Sequence, residues 1–181
     1  LPIIGVVKPG AKTAAEVSRN GRIGVIATDA TIGSGLYPQF IRSINPALQV
    51  FGKACPLFVP LVEEGMTHDF VTEEIARRYL KELQAKDIDT LILGCTHYPL
   101  LRSLIRGIMG DGVQLVNPAY ETALGLRRLL EEKGILADRA PEGEEKYQYY
   151  VSDGAEKFQM IANSILPHQI RTTQVVDIEN Y

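Results

Sequence analysis

Six residues, Asp89 to Gly94 (DTLILG), carry apolar side chains on both alternating faces. A strand of that kind has no face to offer water. It belongs at the centre of a parallel sheet with helices over both sides. Parallel neighbours need long crossovers, and amphipathic stretches alternate with short apolar runs along the chain as that requires. The clearest helix is expected from Phe70 to Ala85, where Val71, Ile75, Tyr79 and Leu83 recur every fourth residue. Ala76 and Leu80 widen its apolar stripe, while Glu73, Glu74, Arg77, Arg78, Lys81 and Glu82 form the polar face.

Other strands are expected at Ile23 to Thr28, Leu48 to Ala54, Leu57 to Val62 and Val113 to Val116. Ile3 to Val7 reads as a buried strand end closed by Lys8-Pro9-Gly10. Helices are expected from Ala11 to Arg19, after Thr31 and Gly33-Ser34, and through Leu100, Leu101, Leu104, Ile105 and Ile108. A further helix from Ala119 to Lys133 should bury Ala119, Ala123, Leu126 and Leu130, with Gly134 as its terminating glycine. A Pro, Gly and charge-rich loop from Ala137 to Lys146 precedes an aromatic strand (Tyr147 to Val151), a helix (Ala155 to Leu166) and a last strand (Gln174 to Ile178). The predicted class is α/β, a three-layer α/β/α domain over residues 1–112, followed by a segment, 113–181, that belongs to a second, incomplete α/β domain.

Composition narrows the function classes. Lysine and arginine number 19 against 22 acids, a net charge of −3, with no basic stripe, which argues against a nucleic-acid backbone as partner. No apolar run approaches the ~20 residues that cross a bilayer, so no membrane partner is expected. The two cysteines, Cys55 and Cys95, stand far apart without a CxxC or a Cys/His ladder, which speaks against a metal site. With no signal peptide ahead of the fold, free thiols in a reducing cytoplasm are expected. The chain opens on Leu1-Pro2-Ile3-Ile4 without an initiator Met, as a fragment of a longer protein would.

Ligands of open parallel sheets bind beyond the carboxyl ends of the strands. Reactive residues crowd that location at Gly94-Cys95-Thr96-His97-Tyr98-Pro99. Gly94 would let the backbone turn off the strand, leaving Cys95 at its end and Pro99 in the first helical turn. Amides and the positive helix end there suit a carboxylate and favour a thiolate at Cys95. His97 could exchange a proton with that thiol or bind an anion. Position alone favours reading Cys95 as a small buried hydrophobe, and the Thr-His-Tyr-Pro that follows brings the functional reading level with it. Cys55-Pro56 reads as structural. Glu63 and Glu64 stand at a strand end, as a solvated turn or a helix cap. The hydroxyls of Thr28, Thr31 and Ser34 cap the next helix or bind an anion. His68 and His168 read as surface residues.

Five ordered blocks carry a resemblance: GVVKPGA (Gly5 to Ala11), IGVIATDATIGSGLY (Ile23 to Tyr37), ACPLFVPLVEEG (Ala54 to Gly65), DTLILGCTHYPLL (Asp89 to Leu101) and YYVSDGAEKF (Tyr149 to Phe158). Together they resemble the glutamate racemase family of the aspartate/glutamate racemase superfamily over nearly the whole chain. The Cys-Thr-His order points to the glutamate branch, since aspartate racemases commonly carry Glu at the place of His97.

That resemblance implies cofactor-independent inversion at Cα of glutamate by two cysteines on opposite faces of the substrate, supplying D-glutamate for peptidoglycan. Cys95 resembles the second catalytic cysteine. Thr96 and His97 resemble the pair that holds substrate and assists it, and Glu63 matches an acid near the same site. The family's first half, with the other catalytic cysteine, has no counterpart here, and Cys55 does not stand in its context. Family members fold as two α/β domains whose C-terminal tail returns to complete the first. The expected partner is the small-molecule substrate, with a homodimer as a compatible assembly. The chain alone is expected to be inactive. Asn117-Pro118 departs from the acid usual in the family. An aspartate or hydantoin racemase and a non-catalytic carboxylate-binding domain are the alternatives.

Overall fold

The computed structural model describes residues 3–138 and 147–180. They divide into two compact units, one ending at Leu136 and the other beginning at Ala137. The first contains β1 (Arg22–Ala27), β2 (Gln49–Ala54), β3 (Thr90–Leu93) and β4 (Gln114–Val116) in one parallel sheet of order β2-β1-β3-β4. Its helices are α1 (Val7–Val17), α2 (Asp29–Gly33), α3 (Leu36–Ile44), α4 (Phe58–Glu63), α5 (Phe70–Gln84), α6 (Arg102–Met109) and α7 (Pro118–Glu132), with a 3₁₀ turn at Tyr98–Leu101. β4 pairs with β3 through Thr90 and Gln114, Leu91 and Leu115, Ile92 and Val116. That pairing places residues beyond 112 in the first unit.

The central strand behaves as its two apolar faces require. All four residues of β3 are buried. Leu91 and Leu93 join Ile26, Leu115, Phe58 and Leu80 in one cluster, and Ile92 joins Ile23, Val25, Val116, Ala11 and Ile41 in the other. Each fully buried Leu or Ile contributes about 1.5–3 kcal/mol, so the two clusters hold the three layers together. The α/β/α architecture follows.

Two expected strands do not form. Ile3–Val7 is not a strand: Ile3 is exposed and Val7 begins α1. Pro9 sits in the first turn, where its missing N–H has no partner to lose, so Lys8-Pro9-Gly10 does not end the element. Leu57–Val62 is helical instead, capping and entering α4 (Phe58–Glu63), because Phe58 and Val62 are spaced one helical turn apart and bury together. Pro60 would have cost a ladder hydrogen bond in a strand.

α7 faces inward by a different stripe than expected. Of the expected stripe Leu130 is half-buried but Ala119, Ala123 and Leu126 are exposed, while Pro118 is buried and Thr122, Gly125 and Leu129 are half-buried. Small residues decide this. A side chain at Gly10 would meet Pro118 Cβ at 2.8 Å, so α1 and α7 approach closely along that row. Thr13 donates to Glu121 at 2.9 Å across the contact. Gly134 does follow the helix with a positive φ of 64°.

At the edge of the sheet away from the strand C-termini, Asp89 ties the end of α1 to β3. It accepts from Ser18 Oγ (2.7 Å), Asn20 N (2.6 Å), Arg19 N (2.5 Å) and Thr90 Oγ1 (2.9 Å). Partial burial pushes its carboxyl up, but the Asn20 amide, the Ser18 hydroxyl, the Arg19 amide and the Thr90 hydroxyl outweigh it and hold the group below its ordinary range. A carboxyl depressed in the folded state contributes stability that is present above its unfolded pKa and is lost as pH falls through the folded value. Asp89→Ala should therefore cost roughly 2 kcal/mol at neutral pH. The penalty should shrink under acid, as urea unfolding at pH 7 and at low pH would show. An equal loss at both would contradict the assignment.

In the second unit β5 (Tyr150–Val151) and β6 (Gln174–Val175) pair in parallel across α8 (Ala155–Ile165). The expected strands at Tyr147–Val151 and Gln174–Ile178 are thus cut to two residues each. Asn163 and Gln159 hold the backbone of the buried Ile170. His168 is exposed as expected, stacked on Tyr147 and bonded to Tyr149 Oη at 2.8 Å. The expected loop at Ala137 to Lys146 lies, from residue 139 on, outside the described residues.

Candidate active site

The strand order reverses between β1 and β3. The chain leaves β1 for β2 on one side and later returns to lay β3 on the other. Loops departing in opposite directions leave a crevice at that point. A cavity of about 300 Å³ lies there, lined by Thr28 and Thr31 after β1, Cys95 and Thr96 after β3, and Asn117 after β4, with Tyr37 on its wall.

Gly94 is required by proximity rather than by a left-handed turn. Its φ is not positive, but a Cβ would fall 2.9 Å from the Ile26 carbonyl oxygen and 3.2 Å from the Tyr37 ring. Its own N–H donates to that same oxygen at 2.7 Å. The strand end is thereby pinned to β1, and Cys95 emerges at the mouth of the crevice, half-buried. A turn closed by the Tyr98 N–H on the Cys95 carbonyl (3.2 Å) folds His97 back beside the thiol. Pro99 occupies the first turn of the 3₁₀ segment, as expected.

All four residues singled out in the sequence come together. His97 Nδ1 lies 4.0 Å from Cys95 Sγ and 3.2 Å from Thr96 Oγ1. On the other side of the ring, His97 Nε2 stands 3.4 Å from Glu63 Oε1. A carboxylate at Nε2 favours the N–H there and leaves Nδ1 of a neutral imidazole free to accept from the thiol or the hydroxyl. His97 and Glu63 do not line the cavity; His97 adjoins it through Cys95 and Thr96, and Glu63 stands behind His97. Glu63 ends α4 rather than a strand, so a helix, not a sheet edge, supplies the acid.

Cys55 is a different case. It is fully buried, and burial pushes its thiol up to about 12, outweighing the lowering effect of Lys53. Its Sγ faces the Lys53 carbonyl at 3.7 Å. The structural reading of Cys55 stands. Thr28 caps α2, its hydroxyl accepting from Thr31 N at 3.4 Å, and also faces the cavity, so capping and lining are not exclusive. Tyr37, held neutral by burial that raises it to about 12, and Asn117 were not singled out as wall residues. Only the long-range pairing of β1, β3 and β4 brings them beside Cys95. Among the described residues no group of three or more His, Cys, Asp or Glu side chains could hold a metal ion.

A parallel sheet with a thiol at its switch point matches a known family. Residues 1–123 match Asp/Glu/hydantoin racemase, and the chain belongs to that family. Within it, the chain is 42% identical over 179 residues to the glutamate racemase of Geobacter metallireducens, covering 99% of this chain and 66% of that protein. The crystal structure of glutamate racemase isoform RacE1 from Bacillus anthracis superposes with a TM-score of 0.91 at 38% identity, over 98% of this chain and 65% of that one. Glutamate racemase from Francisella tularensis, solved in complex with D-glutamate, gives 0.88 at 33% identity over 99% and 65%. The chain therefore spans about two thirds of the length of these relatives.

Proposed function

We propose that the chain carries one half of the catalytic apparatus of a glutamate racemase, with Cys95 as the acid/base on one face of the substrate. What carries this reading is the placement of Cys95 and Thr96 on the cavity wall with His97 and Glu63 gathered behind them. In one direction Cys95, as thiolate, takes the α-proton and becomes a thiol. A second thiol on the opposite face gives its proton to the same carbon. The reverse direction exchanges the roles. Thr96, with Thr28 and Asn117 on the cavity wall, supplies polar groups for the substrate's carboxylate, and donors set there in advance stabilise the charge that develops as the proton leaves. His97 accepts or returns the proton of Cys95, and Glu63 holds the imidazole in the tautomer that can do so.

The substrate would be glutamate, interconverted between its L and D forms without a cofactor, and the product would serve peptidoglycan synthesis and so cell-wall growth and shape. The enzyme would work in the cytoplasm, where free thiols persist, and a homodimer is compatible with it. Among the described residues no second thiol reaches the cavity, since Cys55 is sealed. The 181-residue chain alone is therefore expected to leave L-glutamate unracemised in D₂O. The reading is tested by extending the chain to the full length of its relatives and following both amino acids by circular dichroism. Glutamate should be racemised and aspartate turned over at least about a hundredfold more slowly. A preference for aspartate would overturn the glutamate assignment.

A further inference from the structure

Glu63 and His97 come from separate segments, and their 3.4 Å approach needs something that fixes α4 against the turn after β3. Tyr98 is buried completely and stands one residue after His97. Its hydroxyl donates to the Cys55 carbonyl at 2.8 Å. That same oxygen accepts the Phe58 N–H at 3.2 Å, at the first residue of α4. The Tyr98 ring meets Phe58 edge to face, with centroids 5.2 Å apart and planes at 87°, and Phe58 meets Tyr79 of α5 in the same manner at 5.4 Å. So one side chain grips the start of the six-residue helix whose last residue is Glu63.

We infer that Tyr98 is a positioning residue, a clamp that sets the orientation of α4 and thereby holds the Glu63 carboxylate on His97. The inference rests on the reading of Cys95, His97 and Glu63 as one proton-handling assembly, and it adds a residue that touches none of the reacting atoms. Its hydroxyl bond is shielded from water, and its ring contact is directional, so both favour one arrangement of the two segments over neighbouring ones.

The test is a double-mutant cycle on the 181-residue chain, read by iodoacetamide alkylation of Cys95 across pH 6 to 9. Tyr98→Phe keeps the ring and the Phe58 contact but removes the donor to the Cys55 carbonyl. Tyr98→Phe and Glu63→Gln should each slow alkylation at pH 7 by roughly three- to tenfold. The double variant should be no slower than the slower single, because both act on the same contact. The urea midpoint should shift with Tyr98→Phe equally in both backgrounds, a structural effect the alkylation cycle does not share. Should Tyr98→Phe fail to fold, Phe58→Leu loosens the same clamp from its other side and should also be non-additive with Glu63→Gln. Multiplying effects in the cycle, or no effect of the clamp variants where Glu63→Gln has one, would overturn the inference, as would a Glu63→Gln variant with unchanged reactivity. Loss of the racemase reading would show instead in the glutamate assay of the extended protein.

Discussion

Cys95→Ala, made in the protein extended to the length of its relatives, should lower kcat for glutamate racemisation in both directions by at least about a thousandfold. KM should change little. The reason lies in the geometry of the crevice. Cys95 is the one thiol on the cavity wall among the described residues, and the His97 imidazole behind it does not line the cavity. An α-proton beside a carboxylate is so weakly acidic that removal needs a base held in place and donors already aimed at the developing charge. Alanine leaves the polar wall of Thr28, Thr96 and Asn117 proposed to hold the carboxylate, so substrate should still bind, while that face should lose the group proposed to take and give the proton. Steady-state kinetics in both directions would check this. A kcat within tenfold of the parent would place the acid/base elsewhere.

Much of the architecture could be read from periodicity. The apolar run of Asp89–Gly94 defines a central parallel strand because its two faces require two covering layers, whereas α5 forms where its period places it but turns inward on Thr72, Ala76, Leu80 and Leu83, leaving Ile75 and Tyr79 half-buried and Val71 exposed. Errors arose where an apolar run is too short for its period to decide. Ile3–Val7 and Leu57–Val62 each contain about one turn's worth of apolar residues. A proline lies in or just after each run, and a first helical turn tolerates it more readily than a ladder does. α7 failed for another reason: its inward stripe is chosen by how closely Gly10 and Pro118 let two helices approach, which no pattern of hydrophobicity encodes.

The candidate site was legible to a greater degree. Cys95, Thr96 and His97 are consecutive, so one strand end delivers all three. Glu63 entered through the family resemblance, and its place on His97 depends on α4 being a helix. Tyr98 carried no sequence signal beyond lying in the same block. Its role follows from burial and from the carbonyl it holds in a distant segment.

The two thiols of the chain should differ in reactivity by at least about a hundredfold at neutral pH. Cys55 is sealed in the core with its thiol raised to about 12, so almost none of it is thiolate at pH 7, and reagent reaches it only when the domain opens. Cys95 is half-exposed at the sheet's carboxyl edge with an imidazole beside it. Peptide mapping after brief treatment of the folded chain with iodoacetamide reads both sites at once, against free cysteine as the reference. The account predicts one equivalent of label, on Cys95, incorporated faster than on free cysteine at pH 7. Label on Cys55 at a comparable rate, or a Cys95 that reacts no faster than free cysteine, would contradict the claim that this thiol is poised for proton transfer.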